Sequence, residues 1–323
     1  MWDGAVIIIR KIRQRRAQRV TCDSKIKGTT ICRTGKIRVP GNLYGKRVFV
    51  VLSEELNEIE QYLSSMTALR RFFSALLNSR KGSKMFNIVG ETWNPVTGCA
   101  HNCIYCWARK LAMTKLRNSK RYRNGFIPRL NPEEFKKTFK GGVVFVSDMG
   151  DLFGAQVKKE WIIKVIEYVK KFPDTYFLFL TKNPSRYHEF LHLFPENAIL
   201  GATIETNRDD LILKYHISLA PLPSIRYEAM KKLKWDLKFV SIEPILDFDL
   251  EEFVKWIKDI NPFMVYVGYD NYNNKLPEPS LKKTQALIRR LEEFTLVIKK
   301  TIRPAWNESL GKFIENNSKG KRG

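Results

Sequence analysis

A chain of 323 residues with 44% hydrophobic content is long enough to bury one large core beside a smaller module. No run of 18 uncharged apolar residues occurs, and the apolar stretch 5–9 is too short for a signal-peptide core and lacks a cleavage site, so a cytoplasmic protein without a membrane span is expected. Five cysteines, an odd number with three clustered, argue against a secreted disulfide framework, although Cys22 and Cys32 could still pair in a hyperthermophile. The net charge of +24 is unevenly placed: residues 1–50 hold 13 Lys/Arg against Asp3 and Asp23, and residues 101–140 hold 11 against Glu133 and Glu134. A Lys-rich thermophile surface normally brings Glu in proportion, whereas two blocks this poor in acid point to a polyanion.

In chain order, residues 10–19 pack six positive charges into an arm suited to a phosphate backbone. Short β-like runs follow at 29–31, 36–39 and 48–52, separated by Gly28, Gly35, Pro40, Gly41 and Gly45. The stretches GKIRVP and LYGKRVFVVL in this segment resemble AbrB-type DNA-binding proteins, and that resemblance implies an intertwined dimer; a β-hairpin that merely decorates the larger domain is the alternative. Residues 54–77 carry apolar side chains at helical spacing, and the polar run 78–84 suits a linker. The expected organisation is a basic β-rich module over 1–53, a helical connector and linker over 54–84, a catalytic domain over 85–300 and a basic tail over 301–323.

Beyond the linker, strand and helix patterns alternate, as in parallel βα units. Strands are expected at 91–96, 142–148, 176–181, 198–204, 238–243 and 263–268. Helices are expected at 104–117, 158–171, 185–193, 207–214, 226–233, 249–259 and 280–294. The fold class is α/β, and six such units are two short of a closed (β/α)8 barrel. In barrels of this kind functional groups gather where strands end. The positions so selected are Cys99, Cys103 and Cys106, then Ser147, Asp148 and Asp151, then Thr181, Lys182 and Asn183. Glu205, Thr206 and Asn207, then Glu243, and finally Tyr269, Asp270 and Asn271 complete the set.

The three cysteines form a C-x3-C-x2-C run, Cys99 to Cys106. Three thiolates this close can hold three irons of a [4Fe-4S] cluster and leave the fourth without a protein ligand, whereas electron-transfer clusters take four cysteines. Two alternatives stay open: a zinc site completed by His101, and unliganded core thiols. His188 and His192, at i and i+4, are expected to be packing or surface residues, and Trp161, Trp235 and Trp256 core residues. Trp107 and Tyr122, inside the second basic block, are the better candidates for stacking on a base.

With Tyr105 just before its last cysteine, the run resembles the signature of the radical S-adenosylmethionine (radical SAM) superfamily. The segments SDMGDLF at 147–153, FLTKNP at 179–184 and VSIEP at 240–244 resemble a branch common in phages and archaea that is itself similar to spore photoproduct lyase. The resemblance spans about residues 88–300 and implies a partial (β/α)6 TIM-type barrel, a [4Fe-4S] cluster on Cys99, Cys103 and Cys106, S-adenosylmethionine and an external electron donor. Reductive cleavage would then give methionine and a 5′-deoxyadenosyl radical.

By the same resemblance, Ser147, Asp148 and Met149 would hold the methionine ammonium through backbone carbonyls and a carboxylate, and Tyr105 would touch the adenine through its backbone. Thr181 and Lys182 suit the cofactor carboxylate or a substrate phosphate, and Glu205 and Glu243 suit ribose hydroxyls or a substrate donor group. Asp stands where the superfamily has Glu, without a glycine pair, and no cysteine follows Cys106 to donate hydrogen as in spore photoproduct lyase; Tyr269 is a possible substitute.

The function expected is therefore a radical SAM enzyme acting on nucleic acid bound at the basic blocks 10–47 and 109–140, in RNA modification or in DNA repair or modification. A radical SAM enzyme acting on a protein or peptide and a non-catalytic iron-sulfur DNA-binding regulator are the alternatives.

Overall fold

The structure, a computed structural model, describes residues 4–8, 30–31, 37–38, 47–51, 69, 71–72, 86 and 88–308. The chain divides into two compact units, Met1–Thr67 and Ala68–Gly323. The arm at 10–19, Cys22, Cys32, the linker at 78–84, most of the expected 54–77 helix and the end of the C-terminal tail lie outside the described residues.

In the first unit, β1 (Gly4–Ile8) pairs in parallel with β4 (Arg47–Val51), and β2 (Thr30–Ile31) pairs antiparallel with β3 (Ile37–Arg38). The three expected strand positions all carry strands, and β1 adds a fourth that the glycine-punctuated pattern did not show.

The second unit is built on seven parallel strands: β5 (Glu91–Trp93), β8 (Val143–Val146), β9 (Tyr176–Thr181), β10 (Ala198–Thr203), β11 (Lys238–Ile242), β12 (Met264–Val267) and β13 (Leu296–Lys299). Spatial order follows chain order from β5 at one edge to β13 at the other. Each strand is thus laid beside its predecessor in the sheet. The sequence reading counted six strands; β13 is the seventh, and its half-exposed side chains hide it.

Side chains alternate between two layers. Val144, Val146, Phe177, Phe179, Leu200, Val240 and Val265 meet the helices, whereas Val143, Phe145, Tyr176, Leu178, Phe239, Met264 and Tyr266 meet Phe72, Phe86 and Val89 on the other face. Both faces are covered, so these strands are apolar almost throughout. The helix layer contains α2 (Lys159–Val169), which buries Ile162, Val165, Ile166 and Val169 at i, i+3, i+4 and i+7. It also holds α5 (Pro223–Lys232), α6 (Leu250–Ile260) and α7 (Leu281–Glu292). Asn261 ends α6 in a left-handed conformation, and the Ser280 hydroxyl caps α7 by accepting the Lys283 N–H at 3.2 Å.

Three expected elements shrink. The strand at 91–96 breaks at Asn94-Pro95, since proline has no N–H for the ladder, and β6 (Val96–Thr97) pairs instead with β7 (Arg129–Leu130). The 104–117 helix reduces to α1 (Trp107–Met113), because 102–106 is spent on the cysteine loop and Thr114 ends the helix. The 185–193 helix reduces to the single turn α3 (Tyr187–Phe190) between two 3-10 turns, and α4 (Asp209–Lys214) follows β10. Among the described residues no helix is long and apolar enough to cross a membrane. Residues 301–308 are tied back to the unit, with Arg303 on both oxygens of Glu278 at 2.7 and 2.8 Å.

Candidate functional site

The loop between β6 and α1 lies against the end of β8 through a glycine crossing. Gly98 donates its N–H to the Met149 carbonyl at 2.9 Å and adopts a φ of +85°, and Gly150 packs so close that a Cβ there would stand 2.8 Å from the Gly98 oxygen. Downstream, Asn102 takes a φ of +51°, and Cys106 caps α1. The 217–219 segment clamps the loop: the Ile104 N–H donates to the Ile217 carbonyl at 3.0 Å, and the Leu219 N–H to the His101 carbonyl at 2.6 Å.

Cys99, Cys103 and Cys106 are free thiols, and all three line one cavity of about 900 Å³. Ends of the other sheet strands complete its walls: Asp148 and Asp151 after β8, Thr181 and Lys182 at β9, Thr203 at β10, Glu243 after β11, Tyr269–Tyr272 after β12 and Lys299–Thr301 at β13. Phe86, Phe145, Leu180, Tyr266 and Ile298 make its apolar lining.

The Cys99 sulfur accepts the His101 N–H at 3.4 Å, the Cys106 sulfur accepts the Arg109 N–H at 3.3 Å, and the Cys103 sulfur lies 3.1 Å from the Ser218 hydroxyl. Donors aimed at sulfur stabilise thiolate charge and tune a bound cluster. Burial pushes the Cys99 thiol far up and raises Cys106. A bound cation reverses that cost, since a coordinating thiol is deprotonated outright. In donor chemistry the loop therefore fits a three-thiolate group. Among the described residues no three His, Cys, Asp or Glu side chains are already gathered tightly enough to grip an ion. The thiols share a loop and a cavity wall.

His101 is not turned toward the thiols as a zinc site requires: its Nε2 lies 2.9 Å from Asp151 Oδ2, with both side chains buried. Asp151 also accepts the Thr181 hydroxyl at 2.7 Å and the Lys182 N–H at 2.9 Å. Burial alone would raise its carboxyl, but the His101 contact and these donors hold it below the usual range. One carboxylate thus joins the cysteine loop to β8 and β9.

Of Ser147, Asp148 and Met149, only Asp148 lines the cavity. The Ser147 and Met149 carbonyls accept the Gly150 and Gly98 N–H groups at 3.0 and 2.9 Å, which occupies one of the two lone pairs on each. Asn94 orients Asp148, donating Nδ2 to its Oδ1 at 2.5 Å and accepting the Met149 N–H at 3.0 Å. Burial raises the Asp148 carboxyl against the opposing Asn94 bond. Glu243 behaves similarly: burial raises it although Lys300 Nζ lies 3.0 Å away.

Glu205 corrects another expectation. It is fully buried and does not line the cavity; both its oxygens are occupied, by Tyr105 and Lys182 on one side and by Arg226 at 2.5 Å on the other. Burial opposes its ionisation, but the Arg226 and Lys182 charges prevail and hold it at about 2. Its place is beneath the site, steadying the Lys182 ammonium, which sits 5.2 Å above the Tyr105 ring. Tyr105 is committed through its hydroxyl, which burial and the Glu205 charge keep protonated.

Two aromatic expectations also change. Tyr122 is buried with Ala108, Ala112, Phe126 and Met149, so its ring offers no stacking platform, while Trp107 lines the cavity. Tyr269 lines the cavity, but its hydroxyl is committed to the Pro279 carbonyl at 3.0 Å and to Thr284 Oγ1 at 2.6 Å. Trp256 is buried, Trp161 and Trp235 pack partly buried against the core, and the His188 ring bonds the Ala229 carbonyl at 2.9 Å. Asn94, Ser218, Arg226 and Lys300 escaped the sequence reading. Lys300 was hidden with β13, and nothing local marks the other three.

Fold and site define a parallel α/β protein whose cysteine loop shares one cavity with the polar ends of its strands. The chain belongs to the family described as "Protein of unknown function (DUF5131)", matched over residues 85–261. No curated protein matches it in sequence. Among solved structures it is similar to spore photoproduct lyase complexed with dinucleoside spore photoproduct, at 13% identity and a TM-score of 0.42 over 62% of this chain and 60% of that one. It is also similar to a point mutant of that lyase, at 12% identity and a TM-score of 0.48 over 65% and 76% of the two chains. Streptococcus suis SuiB bound to precursor peptide SuiA matches at 12% identity and a TM-score of 0.41 over 74% of this chain and 53% of that one. The chain thus spans less than two thirds of the first of these.

Proposed function

We propose that this chain is a radical SAM enzyme that acts on nucleic acid, its parallel sheet forming a partial barrel wall. The observation that supports this most is the C-x3-C-x2-C loop after the first sheet strand, its three thiols lining the same cavity as the polar ends of the other strands. Bound at Cys99, Cys103 and Cys106, a [4Fe-4S] cluster with one iron free of protein ligands would pass an electron from an external donor to S-adenosylmethionine and cleave it.

The chain's own residues bind, orient and exclude water. Asp148, pinned by Asn94, offers a carboxylate to an ammonium group, and Lys182, steadied by Glu205, offers an ammonium to a carboxylate. Glu243, set by Lys300 and Ser241, accepts from hydroxyls. The apolar lining of Phe86, Phe145, Leu180 and Ile298 keeps bulk water from reactive species. The nucleic-acid substrate is supported by the acid-poor basic blocks.

The test is anaerobic reconstitution with iron and sulfide, then dithionite and S-adenosylmethionine. Iron near about four per chain and formation of 5′-deoxyadenosine are expected, and both should vanish in the Cys99→Ala/Cys103→Ala/Cys106→Ala protein. Zinc instead of iron, or a fully loaded cluster that leaves S-adenosylmethionine intact, refutes the proposal.

A further inference from the structure

The segment that carries the cysteines, 98–131, holds eight Lys/Arg and no Asp or Glu. Arg121 alone turns inward, to Glu133 at 3.0 Å and Glu134 at 2.6 Å. Lys110, Lys115, Arg117, Lys120 and Arg123 are exposed, and no carboxylate among the described residues stands within ion-pair distance of them. In the helix layer Lys159, Lys170, Lys232 and Lys255 each have a carboxylate within 4 Å, whereas Lys158, Lys164, Lys171, Lys258 and Lys282 are exposed without one among the described residues. What sets the segment beside the cavity apart is that its cations have no acid interspersed among them in sequence.

Apolar groups share that segment. Ile104, Met113 and Ile127 are 51%, 48% and 61% exposed, and Trp107 reaches the cavity wall. At the far end of the strand order, Tyr272 lines the cavity with 52% of its surface free. Cations flanking a cavity that has exposed aromatics at its rim match a chain of phosphates whose bases are unstacked. A cavity of about 900 Å³ is near the upper end for small-molecule sites, roughly 300–1,000 Å³, which leaves room for a base beside a cofactor.

We infer that the 109–129 surface docks single-stranded RNA, with phosphates along Lys110, Lys115, Arg117, Lys120 and Arg123 and one base turned toward Trp107 and the cavity. A duplex keeps its bases stacked and would first have to extrude one. Unpaired loops are standing features of RNA, and recognition there proceeds by splaying bases onto aromatic and arginine faces. This inference rests on the proposed enzyme for its purpose, although the docking itself requires neither cluster nor cofactor.

The test uses the full chain without reductant or S-adenosylmethionine, so its failure and that of the enzyme reading are separate results. Fluorescence anisotropy with a labelled single-stranded RNA is followed across salt concentrations. Arg117→Glu/Lys120→Glu/Arg123→Glu is compared with Lys232→Glu/Lys255→Glu/Lys282→Glu, which has the same net charge. Each lost phosphate contact on a single strand removes about 0.7 from the slope of log K against log salt, so the first variant should lose about 2 from the slope and about tenfold or more in affinity. The second should match the parent. Equal behaviour of the two variants, equal affinity for duplex DNA, or equally effective competition by polyglutamate, the mark of an acidic protein partner, overturns the inference.

Discussion

Replacing Arg226 by leucine should unfold the second unit at markedly lower temperature. Arg226 is fully buried on α5 and gives Nη1 to Glu205 at 2.5 Å and to the Thr203 carbonyl at 2.8 Å, and Nε to the Pro221 carbonyl at 2.6 Å. Leucine restores part of the volume and none of these bonds. Removing one partner of a buried ion pair costs about 3–5 kcal/mol. At about 2–4 °C per kcal/mol for a unit of this size, the midpoint should fall by about 6–20 °C. The double variant Arg226→Leu/Glu205→Leu removes the stranded charge as well and should recover a large part of the loss.

Acid sensitivity gives an independent check. Glu205 is held at about 2, below its ordinary 4.5. A depressed carboxyl contributes stability that is present above its unfolded value and lost as pH falls through its folded value. The parent should therefore weaken between about pH 4.5 and 2, and Glu205→Gln should show a flatter acid limb there. Calorimetry across pH measures both effects. A single Arg226→Leu cost under about 1 kcal/mol, or a double variant as damaged as the sum of the singles, would refute the view of Glu205 as the buried anchor of the Lys182 wall.

Two further outcomes follow from the geometry. Gly150→Ala places a methyl 2.8 Å from a backbone oxygen that cannot swing aside, and should cost about 1–3 kcal/mol in chemical denaturation while lowering iron uptake. Gly125→Ala, with open space around its Cβ and a φ of +93°, should cost about 1 kcal/mol and leave iron uptake unchanged. Glu243→Gln should weaken S-adenosylmethionine binding about tenfold in equilibrium dialysis without altering iron content, and unchanged binding would remove Glu243 from the cofactor wall.

Legibility in the sequence followed the range of the interaction. β8 and β9 are continuous apolar runs between turn residues, and both were located within two residues, because burial on two faces writes itself into consecutive positions. β13 was missed because an edge strand with one face half-exposed carries little of that pattern, and Lys300 went with it. The α1 region was drawn too long because helical propensity in 104–117 does not reveal a loop spent on Cys99–Cys106 and held by contacts to 217–219. Glu205 was placed among the cavity residues because the strand-end rule specifies height along a strand, not which way a side chain turns.

The amino-acid sequence by itself determined the alternating α/β plan, the three-thiol loop and the acid-free charge of 98–131, since each is written in neighbouring residues. Tertiary structure alone decided that Asp151 joins His101 to Thr181, that Arg226 and Lys182 share Glu205, and that Tyr122 and Tyr269 face inward. Those outcomes depend on which side chains strand register and helix packing bring within about 3 Å, and partners tens of residues apart leave no local trace of meeting.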